Sequence, residues 1–234
     1  MFEQRSLALE LIDTGDYTPA EYAQFLREIA LVNRFAGDYW ALKNSLFADI
    51  KRDGVKDFAV LDLGAGSGEL LRMTADFAQK NNYKVKLTGL ELNPEAADAI
   101  LTESSAYDNI FALRGDALQL PFADRSFDYV MCSLFTHHLP DENIVKVLEE
   151  MSRVARRGIY VIDLHRHPLA YFLYTTVGKI FIKGRLVRQD GALSILRAFK
   201  ADEMQYLARQ AHLKNIDVAR HFPFRLVLKA AAND

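Results

Sequence analysis

Apolar and polar positions follow two periods along this chain, and the switches between them mark its elements. Between positions 18 and 35, Tyr22, Phe25, Leu26, Ile29 and Val32 recur at the three- and four-residue spacing of an amphipathic helix. Thr18-Pro-Ala-Glu21 supplies its start: a hydroxyl cap, a proline preset for the first turn and an acid that reaches back to the cap. Gly37 predicts the stop, and a second helix follows over 39–51. From position 58 short apolar runs alternate with helical stretches. Strands are expected over 58–63, 84–91, 110–114, 127–132 and 159–163, with helices over 68–79, 94–103 and 141–156. A helix over 201–211 and two strands, 216–221 and 225–229, separated by Pro223, follow. Strand–helix alternation of this kind feeds a parallel sheet, so the predicted fold is α/β: a doubly wound, mostly parallel, seven-stranded sheet.

The alternation is interrupted over 165–200, where Tyr171, Phe172, Tyr174, Phe181 and Ile182 mix with Lys179, Lys183, Arg185 and Arg188. Ligands of open parallel sheets bind at the carboxyl ends of the strands, where this insertion leaves the fifth strand. It reads as a substrate cap, the alternative being a surface helix pair that only adds core. One domain spanning 1–234 is expected: an N-terminal helical cap (1–53), a cofactor-binding core (54–164), the cap insertion (165–200) and a C-terminal helix with a strand pair (201–234).

The first strand runs into VLDLGAGSGEL at 60–70, and the second closes on Glu91. Gly64, Gly66 and Gly68 allow positive φ and let a ligand lie against the backbone amides, while Glu91 is placed to accept from a ribose diol. A dinucleotide fingerprint begun at Gly64 needs glycine at 69, where Glu69 stands. A phosphate loop needs Lys and Ser or Thr there, and an acid beside the turn repels phosphate. A nucleoside ligand without phosphate and with positive charge remains, as in S-adenosylmethionine.

Asp62-x-Gly-x-Gly-x-Gly68, Glu91 and Gly115-Asp-Ala-Leu-Gln-Leu-Pro-Phe122 together resemble the class I S-adenosylmethionine-dependent methyltransferases, over about 58–163. The resemblance implies that Asp62, Gly64, Ala65, Gly66, Gly68, Glu91, Leu92 and Ser133 hold the cofactor, and that Asp116 with the Ala117 amide reads the adenine edge. It also implies that the last strand is antiparallel, slotted between its two predecessors' places. Arg34 is a candidate for the cofactor carboxylate, and Tyr39 and Trp40 for a pocket wall; a helix end packed on the sheet is the alternative for all three.

Ser133-Leu-Phe-Thr-His-His-Leu139 after the fourth strand lacks the Asn-Pro-Pro-type motif of base-amine methylation, and Cys132 lacks the preceding proline of a cytosine C5 nucleophile. The stretch is instead similar to the small-molecule branch. Five of six histidines, His137, His138, His165, His167 and His221, fall near the carboxyl ends of strands. Imidazole suits removal of a hydroxyl proton, so His137, then His165 and His138, are the candidate bases; capping of the loop is the alternative for the adjacent pair. His167, Tyr171 and Phe172 are expected against the acceptor. No carboxylate cluster adjoins the histidines in sequence, so no metal is expected.

The 234 residues carry a formal net charge of −2, with no general basic field for nucleic acid. The single cysteine, Cys132, excludes an intramolecular disulfide framework and fits a reducing compartment. No leader-like start or membrane-spanning run is seen, and a cytoplasmic protein is expected. The aromatic and basic mixture over 171–188 allows transient contact with a membrane surface. The expected function is methylation of a small aromatic or polyketide-like acceptor, O-methylation first. C-methylation of a quinone or prenylated ring precursor and cofactor binding without catalysis stay open. The oligomeric state is left open too.

Overall fold

The computed structural model describes residues 1–178 and 182–232; Lys179 and Phe181 of the expected cap lie outside the described residues. After a short helix α1 (Leu11–Thr14) come α2 (Pro19–Phe35), α3 (Asp38–Asn44) and α4 (Leu46–Arg52). The core then alternates β1 (Asp57–Leu63), α5 (Glu69–Lys80), β2 (Lys84–Glu91), α6 (Pro94–Glu103), β3 (Ile110–Arg114) and β4 (Phe127–Ser133). A 3₁₀ turn, Thr136–His138, leads to α7 (Asp141–Val154) and β5 (Ala155–Leu164). Beyond it lie α8 (Pro168–Leu173), a π-helical turn (Tyr174–Gly178), α9 (Arg185–Arg197), α10 (Ala201–Gln210), β6 (Lys214–His221) and β7 (Arg225–Ala231).

The sheet order is β3-β2-β1-β4-β5-β7-β6. β1 to β5 run parallel, and β7 pairs antiparallel with both β5 and β6, as the family likeness implied. Strand order reverses between β1 and β4, which opens a crevice outside their carboxyl ends. Both faces of the sheet are covered, and side chains alternate between them. Along β4, Tyr129 and Met131 pack towards α3 to α6, whereas Val130 and Cys132 pack towards α7 and α10.

The expected helix over 39–51 is two helices. Ser45 breaks it with φ −116° and ψ −92°, and its hydroxyl donates to the Ala41 carbonyl at 2.7 Å. A serine that bonds back one turn competes with the helix's own ladder and bends the chain. The break aims Asp38, the first residue of α3, into the sheet. There Arg225 at the start of β7 donates to both Asp38 oxygens (2.7–3.0 Å), and the Ser133 hydroxyl at the end of β4 donates to Oδ1 at 2.9 Å. Asp38 is fully buried.

Removing one partner of a buried ion pair strands the other charge. Asp38→Ala is therefore expected to lower the unfolding free energy by about 3–5 kcal/mol. Urea titration followed by circular dichroism measures this, and a loss below about 1 kcal/mol would show that Arg225 finds another partner.

Candidate active site

The glycine turn sits at the switch point. Gly64, Gly66 and Gly68 have φ of 65°, 58° and 79°, the left-handed region open to glycine without strain. A Cβ on Gly64 would lie 2.7 Å from the Phe135 ring, whereas a Cβ on Gly66 would meet nothing nearer than Leu26 at 4.0 Å. Gly66 thus faces open space, the floor of a cavity of about 630 Å³. Glu91 Oε1 accepts the Gly66 N–H at 2.6 Å, which ties the end of β2 to the turn. Burial pushes the Glu91 carboxyl up to about 7 against the pull of the Gly66 and Leu92 amides.

The same cavity is lined by Ala65, Leu92, Asp116, Ala117 and Ser133, so the turn, the ends of β2 and β4 and the loop after β3 meet in one place. Asp62 and Gly68 stand behind it. Asp62 is buried under the turn with Oδ1 unpartnered, and burial and then the Glu91 charge raise its pKa. Gly68 caps α5. Asp116 Oδ1 accepts the Leu118 N–H at 2.8 Å, which orders the loop. Ser67 Oγ and Asn33 Oδ1 are also buried, unpartnered and on the cavity wall. Orphaned polar atoms of this kind call for a ligand with donors and acceptors of its own.

Arg34 departs from its expected place. Its exposed guanidinium pairs with Glu69 Oε1 at 3.0 Å, the acid at the start of α5, and opens on an outer groove with Tyr39 and Lys43. Neighbouring Asn33 faces the cavity instead. Tyr39 and Trp40 miss both inner cavities: Tyr39 packs on the core below α4, and Trp40 is half exposed with Lys43 over its ring.

A second cavity, about 570 Å³, adjoins the first, and Phe25, Ile29, Leu134 and His138 line both. Its walls are apolar: Val32 and Ala36 from α2, Ala170 and Leu173 from α8, Val187 and Ile195 from α9. The segment over 165–200 therefore does cover the strand ends, but through other residues than expected. Tyr171 packs edge-on against Phe2, Phe172 points to solvent at 60% exposure, and His167 caps α8 by accepting from Leu169 N–H at 3.1 Å. On a helix whose neighbouring face is buried, Tyr171 and Phe172 fall on the outer side. Sequence periodicity over six residues is too short to tell the sides apart.

Polar groups in this cavity cluster at one end. His137 is buried, and its Nδ1 lies 2.6 Å from Asp163 Oδ1. Asp163 also accepts from the Thr136 hydroxyl at 2.7 Å and from the His137 and Leu164 N–H groups. Burial alone would raise its pKa, but His137, Thr136 and the Leu164 amide hold it down at about 2. A carboxylate only accepts, so Nδ1 carries a proton, and in the neutral tautomer that this fixes Nε2 offers a lone pair. His138 Nδ1 is held by Asp13 Oδ1 at 2.8 Å. His165 reaches the cavity edge, where burial and then Arg220 lower its pKa.

Glu10 joins this end from far away in sequence. Its Oε1 lies 3.9 Å from His137 Nε2 and 4.0 Å from His138 Nδ1. The expectation of no carboxylate beside the histidines was thus a limit of sequence distance: Glu10, His137 and His138 form a group able to hold a cation. Asp163 and Glu10 are the residues that sequence reasoning missed. Asp163 carried a signal, an acid ending a buried strand as Asp62 and Glu91 do; Glu10 carried none. Cys132 is the expected inert thiol, buried and pushed up by burial.

The sheet order and the glycine turn define a class I, Rossmann-like fold. Residues 60–158 match the family model of the methyltransferase domain. The chain is 28% identical over 182 residues to demethylmenaquinone methyltransferase of Bacillus licheniformis, covering 72% of this chain and 75% of that protein. It is 32% identical over 120 residues to a probable chloroplastic tocopherol O-methyltransferase of Oryza sativa subsp. japonica, covering 50% and 31%. In several further matches the chain spans about half the relative's length or less. The structure of magnesium protoporphyrin IX methyltransferase from Synechocystis PCC 6803 with bound S-adenosylmethionine superposes with a TM-score of 0.62 at 16% identity, covering 97% of this chain and all of that one (100%). Residues 60–158 thus match a methyltransferase domain, and the chain has the fold of the S-adenosylmethionine-dependent methyltransferase structure on which it superposes.

Two predictions follow from the cavity floor. Gly66→Val should abolish S-adenosylmethionine binding while the far-ultraviolet spectrum stays native, since the side chain fills ligand space; undiminished affinity in calorimetry would place the cofactor elsewhere. Glu91→Gln should weaken binding by about 1.5–3 kcal/mol above pH 7. A diol needs the carboxylate, and the free protein's carboxyl is protonated below about 7, so wild-type affinity should rise from pH 6 to 7.5 and level off. A flat wild-type profile would count against the ribose contact.

Proposed function

We propose that this methyltransferase acts on a small, apolar acceptor bearing a ring hydroxyl, and that His137 removes the hydroxyl proton. One observation carries the reading: a buried His137–Asp163 pair on the wall of an apolar cavity that shares four lining residues with the cofactor cavity. When bound, S-adenosylmethionine supplies an electrophilic methyl group, so the acceptor must arrive in line and unprotonated. Ala65, Gly66, Glu91, Asp116, Ala117 and Ser133 would hold the cofactor. Phe25, Ile29 and Leu134 exclude water at the junction and align the ring.

A phenol with pKa near 10 is roughly one part in a thousand ionised at neutral pH. His137 accepts that proton at Nε2, and Asp163 stabilises the resulting imidazolium through Nδ1–H. Phenolate attacks through oxygen or through the ring carbons ortho and para to it; after carbon attack the hydrogen on the methylated carbon leaves as a proton and the oxygen regains one from the His137 imidazolium, which restores the phenol. The relatives named for demethylmenaquinone favour carbon, and the one named for tocopherol favours oxygen. Carbon methylation of a hydroxylated ring is the first reading. A soluble protein of the cell interior is the matching location; among the described residues, no helix is long and apolar enough to cross a membrane.

His137→Ala is expected to lower kcat by about 10²–10⁴ with cofactor affinity unchanged. The assay is transfer of labelled methyl to hydroxylated naphthalenes and alkylphenols, with the methylated atom assigned by NMR. Full activity of the variant would leave alignment, without a base, as the mechanism.

A further inference from the structure

Glu10 is 2% exposed, borders the acceptor cavity and has an oxygen, Oε1, with no hydrogen-bond partner. Its other oxygen is spoken for: the Ser194 hydroxyl donates to Oε2 at 2.8 Å, which fixes the plane of the carboxyl group. The groups facing Oε1 are His137, His138 and the Arg197 guanidinium, whose Nε is 3.6 Å away and donates instead to the His137 carbonyl at 3.0 Å. His138 Nδ1 is engaged with Asp13. Burial, opposed by His138, Ser194 and Arg197, pushes the Glu10 carboxyl up to about 7. An orphaned buried acceptor is costly, and Glu10 is among the residues that line the cavity.

His137 Nε2 is the second acceptor at this spot, because Nδ1–H is committed to Asp163. Two acceptors 3.9 Å apart therefore belong to residues that line one apolar cavity. With no proton between them neither donates to the other, and a molecule with a single hydroxyl satisfies only one. We infer that Glu10 Oε1 binds a second hydroxyl of the acceptor, so that the substrate class is a ring carrying two hydroxyl donors along one edge. His137 takes the proton of one hydroxyl, and Glu10 holds the other by a hydrogen bond. The inference rests on the reading of the second cavity as the acceptor site.

The position of Glu10 supports a built site. Leu11 N–H and Ile12 N–H donate to the buried Asp190 carboxylate at 2.9 and 3.2 Å, and Arg197 donates to the Ala8 carbonyl and to Asp13, each at 2.7 Å. The segment that carries Glu10 is thus fastened on both sides to α9, which also supplies Ser194.

The test is calorimetric titration of the protein saturated with S-adenosylhomocysteine, using 5-pentylbenzene-1,3-diol and 3-pentylphenol, which differ by one hydroxyl. The diol should bind about 10- to 100-fold more tightly, the range for a hydrogen bond to a charged group. Glu10→Gln should cut that ratio at least several-fold with little change for the monophenol; Glu10→Asp, which withdraws Oε1, should do the same and serves if the first variant melts early. Equal binding of the two compounds, or a ratio unmoved in both variants, overturns the Glu10 assignment and leaves the phenol reading intact. Failure of both compounds to bind wild type overturns the phenol reading, and this inference with it. Saturable binding of Zn²⁺ or Mn²⁺ that is lost in Glu10→Gln assigns Oε1 to a cation and also overturns it.

Discussion

The carboxylate of Asp163 is the interaction on which the catalytic half depends. Fully buried, it accepts four hydrogen bonds: from the Thr136 hydroxyl, the His137 ring and amide, and the Leu164 amide. Three of these come from the 3₁₀ turn after β4 and fasten it to the end of β5. The turn's carbonyls are gripped from the other side, by Arg5 and Arg197 on the His137 and His138 oxygens. A buried carboxylate without partners would be among the costliest groups in the protein, yet this one is held ionised by donors on three sides. The result is an imidazole with one tautomer and one orientation.

Three other acids at or behind the two cavities are treated differently. For Asp62, Glu91 and Glu10 burial outweighs the donors they have, and it raises the pKa of each. In the scaffold proper such acids find arginines, as Asp38 finds Arg225. At the cavities the missing donors are left for ligands, and the unliganded protein carries the desolvation cost. Stability has been held back where binding needs unfilled acceptors.

The cofactor half was legible in the sequence because its information is local. Asp62 to Gly68 lie within one turn, Glu91 ends the neighbouring strand, and Asp116 with Ala117 follows the next, so strand alternation alone brings them together. The acceptor half was legible only as a region. That the segment over 165–200 covers the strand ends follows from topology, but which of its side chains face inward depends on contacts with α2 and α9. Tyr171 and Phe172 were therefore misassigned while Leu173 and Val187 passed unnoticed. The helix over 39–51 failed at Ser45, where a side chain bonding its own backbone outweighed periodicity. Glu10 lies in a stretch with no periodic pattern, and its partners are more than a hundred residues away.

That separation has a consequence for how the protein is made. Bonds between residues 8–13 and α9 span 178 to 189 residues of chain. They close one of the largest loops the chain contains, and such closures form only after the intervening structure exists. During synthesis the segment bearing Glu10 leaves the ribosome before Asp190, Ser194 and Arg197 and waits for them. A nascent chain grown only through β5 already contains the glycine turn and its strand partners, yet lacks the α8 and α9 walls of the second cavity and the seat for residues 8–13. The lining of the first cavity ends at Leu139 and that of the second extends to Arg225, so the second is the later of the two to be complete.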